Sequence, residues 1–294
     1  MTESKRSYRG SGGLSIAASI YGPEAGFPVL LAHGGGQTRR AWKRITKELA
    51  EAGYFAIAID MRGHGDSGWA KDGAYDIRDF AADLIAISGS LQRRPALVGA
   101  SLGGLAGMIA EGELVNGSFA SLTLVDIAPK MEATGVMRVV GFMQQHVDSG
   151  FASPDEAAQV IAEYLPHRKK RSASSGLERY LRRGEDGRHY WHWDPLFIRN
   201  IMHSQNSEPG YDERRLSALS DAAANLRLPV HLIRGGSSDL VSEDAVSHLR
   251  ELVPDAEYTD IANATHMVVG DANDDFGSAI LEFLDRQHSS EKAQ

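Results

Sequence analysis

Cysteine is missing from all 294 residues. Its absence removes disulfide staples, thiolate zinc sites, iron–sulfur clusters and a cysteine nucleophile together, and it suits a reducing cytosol. Long apolar runs are missing too. The longest, such as Tyr54 to Ile59, fall far short of the roughly 20 residues a membrane helix needs. The opening MTESKRSYRG is charged and polar with no apolar stretch behind it, so no targeting segment is expected. Nor is there a basic surplus: 31 Lys and Arg stand against 39 Asp and Glu, a net charge of −8, which argues against a phosphate-binding surface. What is present is ordinary. At 42% hydrophobic and 24% charged, the chain reads as a folded cytoplasmic protein rather than a disordered or fibrous one. A small-molecule substrate is the expected partner, without nucleic acid or membrane; a homo-oligomer is left open.

Leu14, Ile16, Ala18 and Ile20 alternate, a strand pattern. PVLLAHGGG from Pro28, YFAIAIDMRGHG from Tyr54, PALVGAS from Pro95, SLTLVDIAP from Ser121 and PVHLIRGG from Pro229 are short apolar runs ending in loop-forming residues. Continuous runs of this kind suit strands buried on both faces. A weaker strand is expected at AEYTDIA from Ala256. Between the runs, Ile77, Phe80, Leu84, Ile87 and Leu91 recur at helical spacing and define one apolar face. Strand and helix in alternation predict an α/β domain with a mostly parallel central sheet and flanking helices.

The alternation stops after Pro129 and resumes near Pro229. Residues 1–129 and 226–294 are therefore expected to form the core, and residues 130–225 a helical insertion without buried strands. Ser153-Pro154-Asp155-Glu156 reads as a capping box that starts one of its helices. The basic run Arg168 to Arg171 inside it is expected to be a solvated loop.

The sharpest local signal is Gly99-Ala100-Ser101-Leu102-Gly103, a G-x-S-x-G placed where a buried strand gives way to a helix. A serine there sits on a tight strand–turn–helix bend with its hydroxyl raised above the sheet, and the flanking residues must be small because backbones cross closely. A hydroxyl needs a base to take its proton and a carboxylate to orient that base, both later in the chain in the order acid, then histidine. Asp239, in the loop after the Pro229 strand, and His266, after the Ala256 strand, fit that order 27 residues apart, room for one helix and one strand. Asp126, at the end of LTLVD, is the alternative acid. His33 and His64, in glycine-rich loops, are expected to be structural hydrogen-bonding groups, and Asp60 to hold the Arg62–Gly65 turn. For the oxyanion, the backbone N–H groups of Gly35 and Leu102 are the candidate donors.

Gly63-x-Gly65-x-x-Gly68 spells the dinucleotide fingerprint, but the residues after it are turn-like, so no nucleotide site is expected. No P-loop and no H-E-x-x-H occurs, and neither metal nor cofactor is expected. Phe142, Met143, Tyr190, Trp191 and Trp193 concentrate in the insertion. They are candidates for a substrate-binding lining or, alternatively, for the insertion's own core.

Taken together, HGGG, the Asp60 to Ser67 run DMRGHGDS, GASLGG, LVDIAP, the Asp239 loop and the His266 loop resemble the α/β-hydrolase superfamily over nearly the whole chain. Trp42, nine residues after His33, is similar to the HG…W pattern of its esterase, haloperoxidase-like and C–C hydrolase branch. The resemblance implies that the insertion is a helical cap roofing the site, and serine at position 101 disfavours the branches with an aspartate nucleophile. The expectation is a cofactor-free serine hydrolase of a carboxylic ester or lactone. A C–C hydrolase or perhydrolase with the same triad, or a non-hydrolytic binding protein on this fold, are the alternatives.

Overall fold

A computed structural model describes residues 2–164, 177, 180–207, 211–262, 264 and 276–288. Strands β1 (Ser4–Arg9), β2 (Ser15–Tyr21), β3 (Pro28–Ala32), β4 (Phe55–Ile59), β5 (Ala96–Ala100), β6 (Ser121–Val125), β9 (Val230–Gly235) and β10 (Glu257–Ile261) form one sheet in the order β1-β2-β4-β3-β5-β6-β9-β10. β1 and β2 pair antiparallel at one edge, and every pairing from β4 across to β10 is parallel. This is the expected mostly parallel sheet.

The apolar runs explain the layering. Successive side chains of a strand point to opposite faces, so Leu30, Ile57, Leu97 and Leu122 enter one core while Val29, Leu31, Ala56 and Val98 enter the other. Helices α2 (Ile77–Gly89), α3 (Leu102–Ile109) and α8 (Glu243–Leu252) supply Phe80, Leu84, Leu105, Met108 and Leu249 to the first core. Helices α1 (Lys43–Glu51) and α9 (Gly277–His288) cover the second with Ile45, Leu49, Ile280 and Phe283. Asp76 and Asp79 start α2 with a reciprocal capping box, which satisfies N–H groups that the first turn leaves free.

Between β6 and β9 lie α4 (Ala133–Gln144), α5 (Pro154–Tyr164), a hairpin of β7 (Leu181–Arg183) and β8 (His189–Trp191), α6 (Pro195–Ser207) and α7 (Tyr211–Ala224). Ser153 Oγ caps α5 by accepting from Glu156 N–H at 3.3 Å. The hairpin departs from the expectation of helices alone. Its three-residue strands are too short to show alternation, and the reversal rests on Gly187 at φ 80° and on Asp186, whose carboxylate accepts from Arg188 N–H. β1 was also illegible, because an exposed edge strand with the sequence SKRSYR has no apolar face. α7 leaves the insertion and packs on α3 and α8 of the core. The basic run Arg168 to Arg171 lies outside the described residues. No described helix is long and apolar enough to cross a membrane.

The insertion is pinned to the carboxyl edge of the sheet by backbone contacts. Asp194 N–H donates to Gly63 O at 2.8 Å, and Glu132 N–H to Leu240 O at 3.0 Å. Gly135 lets α4 seat on the loop after β9: a Cβ there would lie 2.2 Å from Asp239 O.

Candidate active site

β5 leads directly into Ser101, whose φ of 44° and ψ of −113° lie outside the regions that ordinary side chains occupy. Such a conformation costs of order 1–3 kcal/mol and persists only where surrounding structure imposes it. Here Ser101 N–H donates to Val125 O at 3.2 Å, and its carbonyl accepts from Leu105 N–H at 3.0 Å, so the bend is held by the neighbouring strand and by the first turn of α3. The flanking glycines are steric requirements. A Cβ on Gly99 would sit 2.5 Å from the carbonyl carbon of Gly103, and one on Gly103 would sit 2.4 Å from Ala32 O. Gly103→Ala should therefore push α3 off the sheet and destabilise the fold by about 1–3 kcal/mol. Urea unfolding reads this directly, and an unchanged midpoint would contradict the close crossing.

Ser101 and Leu102 are partly exposed between buried neighbours, and Gly35 is the partly exposed residue of the His33–Gly36 run. Hydrogen-bond accounting across that loop singles out one donor. Gly34 N–H goes to Gln37 Oε1 at 3.0 Å, Gly36 N–H to His64 Nε2 at 3.2 Å, and Gln37 N–H back to Gly34 O at 3.1 Å. Gly35 N–H has no acceptor among the described residues. Leu102 N–H, at the first position of α3, has none within its helix. The loop abuts Ser101, since a Cβ on Gly34 would touch Ser101 Cβ at 3.2 Å.

Three buried imidazoles hold this loop in place. His33 offers Nδ1 to Gly34 O at 2.7 Å and accepts at Nε2 from Met61 N–H at 3.0 Å. His64 accepts from Gly36 N–H at Nε2 and donates from Nδ1 to Arg62 O at 2.9 Å. His192, from the insertion, accepts from Gly65 N–H at 3.0 Å on Nδ1 and donates from Nε2 to Gly36 O at 3.1 Å. Every ring nitrogen of the three is engaged by backbone, which fixes each tautomer and leaves no lone pair for a metal. His33 and His64 are thus the structural groups the sequence suggested; His192 carried no local signal, because its partners lie far away in the chain.

Burial is the main reason that these rings stay neutral. It pushes His64 down to about 4 and His192 down to about 3, and it lowers His33 well below the usual histidine value. The facing charges, Asp194 toward His64 and Arg182 and Asp66 toward His192, are secondary. The unfolded chain takes up protons near the ordinary value of 6.5, and the folded rings do not until far lower. Stability is therefore complete above pH 6.5 and lost as the pH falls toward the folded values, by about 1.4 kcal/mol per pH unit for each ring. Urea midpoints measured between roughly pH 6.5 and 5, above the carboxylate range, should fall steadily; a flat profile there would contradict buried neutral histidines.

Two carboxylates lie at neighbouring strand ends. Asp126, directly after β6, is buried at φ 50°; its Oδ1 accepts from Gly235 N–H at 2.9 Å and its Oδ2 from Ser238 O–H at 3.0 Å. Asp239 is half-exposed and ion-paired at 2.8 Å with Arg138 of α4. His266 lies outside the described residues. Asp60 holds the turn after β4, accepting from Asp66 N–H and Arg39 N–H and pairing with the Arg39 guanidinium. Gly63 N–H closes that loop on Gly68 O at 2.9 Å, and no helix follows until α2.

Of the insertion candidates, Met143 reaches the loop: its sulfur would lie 3.4 Å from a Cβ on Gly35. Trp191 stacks on Trp193 with ring centroids 4.7 Å apart and contacts Phe142 at 5.8 Å, so these three build the insertion's own core. Tyr190 donates its hydroxyl to Asp186 within the hairpin. Phe197, which the sequence reading missed, would lie 3.8 Å from a Cβ on Gly35, and its ring centroid is 5.2 Å from that of His64. It also lines a cleft of about 360 Å³, together with Leu102, Phe80, Ile201 and Leu219, with Arg215 on its wall.

Fold and elbow together define a hydrolase-type site, and residues 28–272 match the family described as alpha/beta hydrolase fold, so the chain belongs to that family. Its relatives include the esterase Rv0045c of Mycobacterium tuberculosis, 29% identical over 75% of this chain and 70% of that protein. Another is the non-heme chloroperoxidase CPO-A1 of Kitasatospora aureofaciens, 26% identical over 89% and 93%. The crystal structure of E-2-(acetamidomethylene)succinate hydrolase superposes with a TM-score of 0.76 at 22% identity, covering 97% of this chain and all of that one (100%). The esterase kinship supports a hydrolase.

Proposed function

We propose that the protein is a cofactor-free serine hydrolase that cleaves a carboxylic ester or lactone of a small, partly apolar molecule. The observation that carries this reading is the strained Ser101 beside the backbone N–H groups of Gly35, which has no acceptor among the described residues, and of Leu102, which has none within its helix. In the proposed reaction, Ser101 Oγ attacks the carbonyl carbon as His266 takes its proton. The oxyanion that forms accepts from Gly35 and Leu102 N–H, donors already aimed before charge develops. His266 returns the proton to the leaving alkoxide, and an acyl-enzyme remains. Water, deprotonated by His266, attacks it; the bond from the acyl carbon to Ser101 Oγ then breaks as Oγ takes that proton back from His266, and the acid is released.

The acid that orients His266 has two candidates. Chain order and spacing favour Asp239. Burial favours Asp126, because a triad carboxylate works from a desolvated, hydrogen-bonded position, whereas Asp239 is half-exposed and tied to Arg138. The cleft beside Leu102, apolar at Phe80, Phe197 and Leu219 and charged at Asp76, Arg78, Arg214 and Arg215, has the size of a pocket for one small molecule and supports a modest acyl or alcohol group rather than a polymer. Steady-state turnover of nitrophenyl esters, lactones and vinylogous diketones, with peroxide as a competing acceptor, tests the reading. Ester or lactone turnover supports it. Turnover confined to diketones or peracid formation transfers the same triad to the rival reaction, and no turnover of any substrate favours a binding protein.

A further inference from the structure

We propose that His192 is a positioning residue that ties the seating of the insertion to the geometry of the oxyanion loop. The proposal rests on the reading of Gly35 N–H as an oxyanion donor. Gly36, next in the chain to that donor, is clamped on both sides: its N–H, in the Gly35–Gly36 peptide, donates to His64 at 3.2 Å, and its C=O, in the Gly36–Gln37 peptide, accepts from His192 at 3.1 Å. Gln37 N–H, on that second peptide, donates to Gly34 O at 3.1 Å, the carbonyl of the peptide that carries Gly35 N–H. His64 belongs to the core loop after β4, but His192 arrives from the far end of the β7–β8 hairpin. The same imidazole fastens Gly65 N–H at 3.0 Å, so one side chain bridges both glycine-rich loops.

Its neighbours lock the ring in place. Asp194 N–H is bonded to Gly63 O at 2.8 Å, and its carboxylate accepts from the Tyr75 hydroxyl at 2.6 Å. Trp193 lies edge-on to the His192 ring with centroids 5.2 Å apart, and the ring is buried. A buried imidazole with one donor and one acceptor site, both satisfied by backbone, holds its partners in a single arrangement. If the insertion lifts, Gly36 O loses its donor, and the Gly36–Gln37 peptide, which braces the Gly34–Gly35 peptide through Gln37 N–H on Gly34 O, loosens with it. The oxyanion donor is then correctly aimed only when the insertion is seated.

The two bonds can be separated by isosteres. In His192→Gln the terminal amide nitrogen falls near the position of Nε2 and still donates to Gly36 O. In His192→Asn the carboxamide oxygen falls near Nδ1 and accepts from Gly65 N–H, while the donor to Gly36 O is lost. Displacing a transition-state donor by about 1 Å costs on the order of 100-fold in rate. With a nitrophenyl ester, kcat in His192→Asn should therefore fall on the order of 10- to 100-fold with KM within about threefold, while His192→Gln keeps kcat within about threefold. Equal kcat loss in both variants, a loss confined to KM, or unchanged kcat in His192→Asn would each overturn the proposal. A second readout does not need activity: amide hydrogen exchange of the 33–37 segment should accelerate in His192→Asn and not in His192→Gln. If wild type turns over no ester yet the exchange difference appears, the anchoring stands and the oxyanion reading fails. If wild type is active and exchange is unchanged in both variants, the anchoring is wrong.

Discussion

Ser101→Ala is expected to abolish ester hydrolysis while the protein folds as before, with a loss in kcat on the order of a million-fold, as in a serine hydrolase whose nucleophile is removed. The size follows from the mechanism. Without Oγ no acyl-enzyme forms, and what survives is the modest gain from binding and oxyanion donors acting on water. Folding should be kept or slightly improved, because the side chain makes no capping bond at the start of α3. The strain belongs to the backbone, with φ 44° fixed by Val125 and the α3 turn, so alanine inherits it rather than relieving it. Turnover rates and urea midpoints measured side by side separate the two effects. Near-normal turnover in a well-folded variant would remove Ser101 from the chemistry.

The second large effect is expected at the triad acid. Replacing the acid by its amide in a serine protease leaves the shape intact and lowers kcat by about 10⁴-fold, because the histidine is then held in the wrong tautomer. On the strength of its burial, Asp126→Asn is expected to show a loss of that order. Asparagine tolerates the positive φ at this position, and its carboxamide oxygen can still accept from Gly235 N–H, so the fold should survive the loss of the single bond from Ser238. Asp239→Asn weakens the half-exposed pair with Arg138, and its effect should stay within about tenfold, as befits a pair of little energetic weight. Parallel kcat/KM measurements on both variants decide between them. If Asp239→Asn shows the large loss and Asp126→Asn the small one, the acid lies in the loop after β9, where chain order put it.

The elbow was legible in the sequence because its constraint is local. Gly99 and Gly103 are glycines because a Cβ at either would collide with backbone within 2.6 Å, and a steric rule of that kind leaves a fixed spacing in the chain. The buried parallel strands were legible for a similar reason, as Leu30 to Ala32 or Ala96 to Ala100 need apolar side chains on both faces. His192 and Phe197 were not. Each acts by docking onto loops more than a hundred residues away in sequence, and nothing in WHWD or its flanks has a period that would announce it. Composition does not separate the two readings of the insertion aromatics: Trp191, Trp193 and Phe142 are concentrated there, and in the fold they pack on one another. The acid stayed ambiguous because Asp126 and Asp239 both follow strands at the same edge, and sequence order carries no information about burial.

The central claim is that Ser101 is a nucleophile whose adduct oxygen is received by backbone N–H groups. It is tested most directly by incubating the protein with a serine-reactive fluorophosphonate and reading the intact mass and the modified peptide. Wild type is expected to gain one phosphonyl group, located on Ser101 in the peptide that spans β5 and α3, and Ser101→Ala is expected to gain none. An unmodified wild type, or an adduct that persists in Ser101→Ala, would contradict the account.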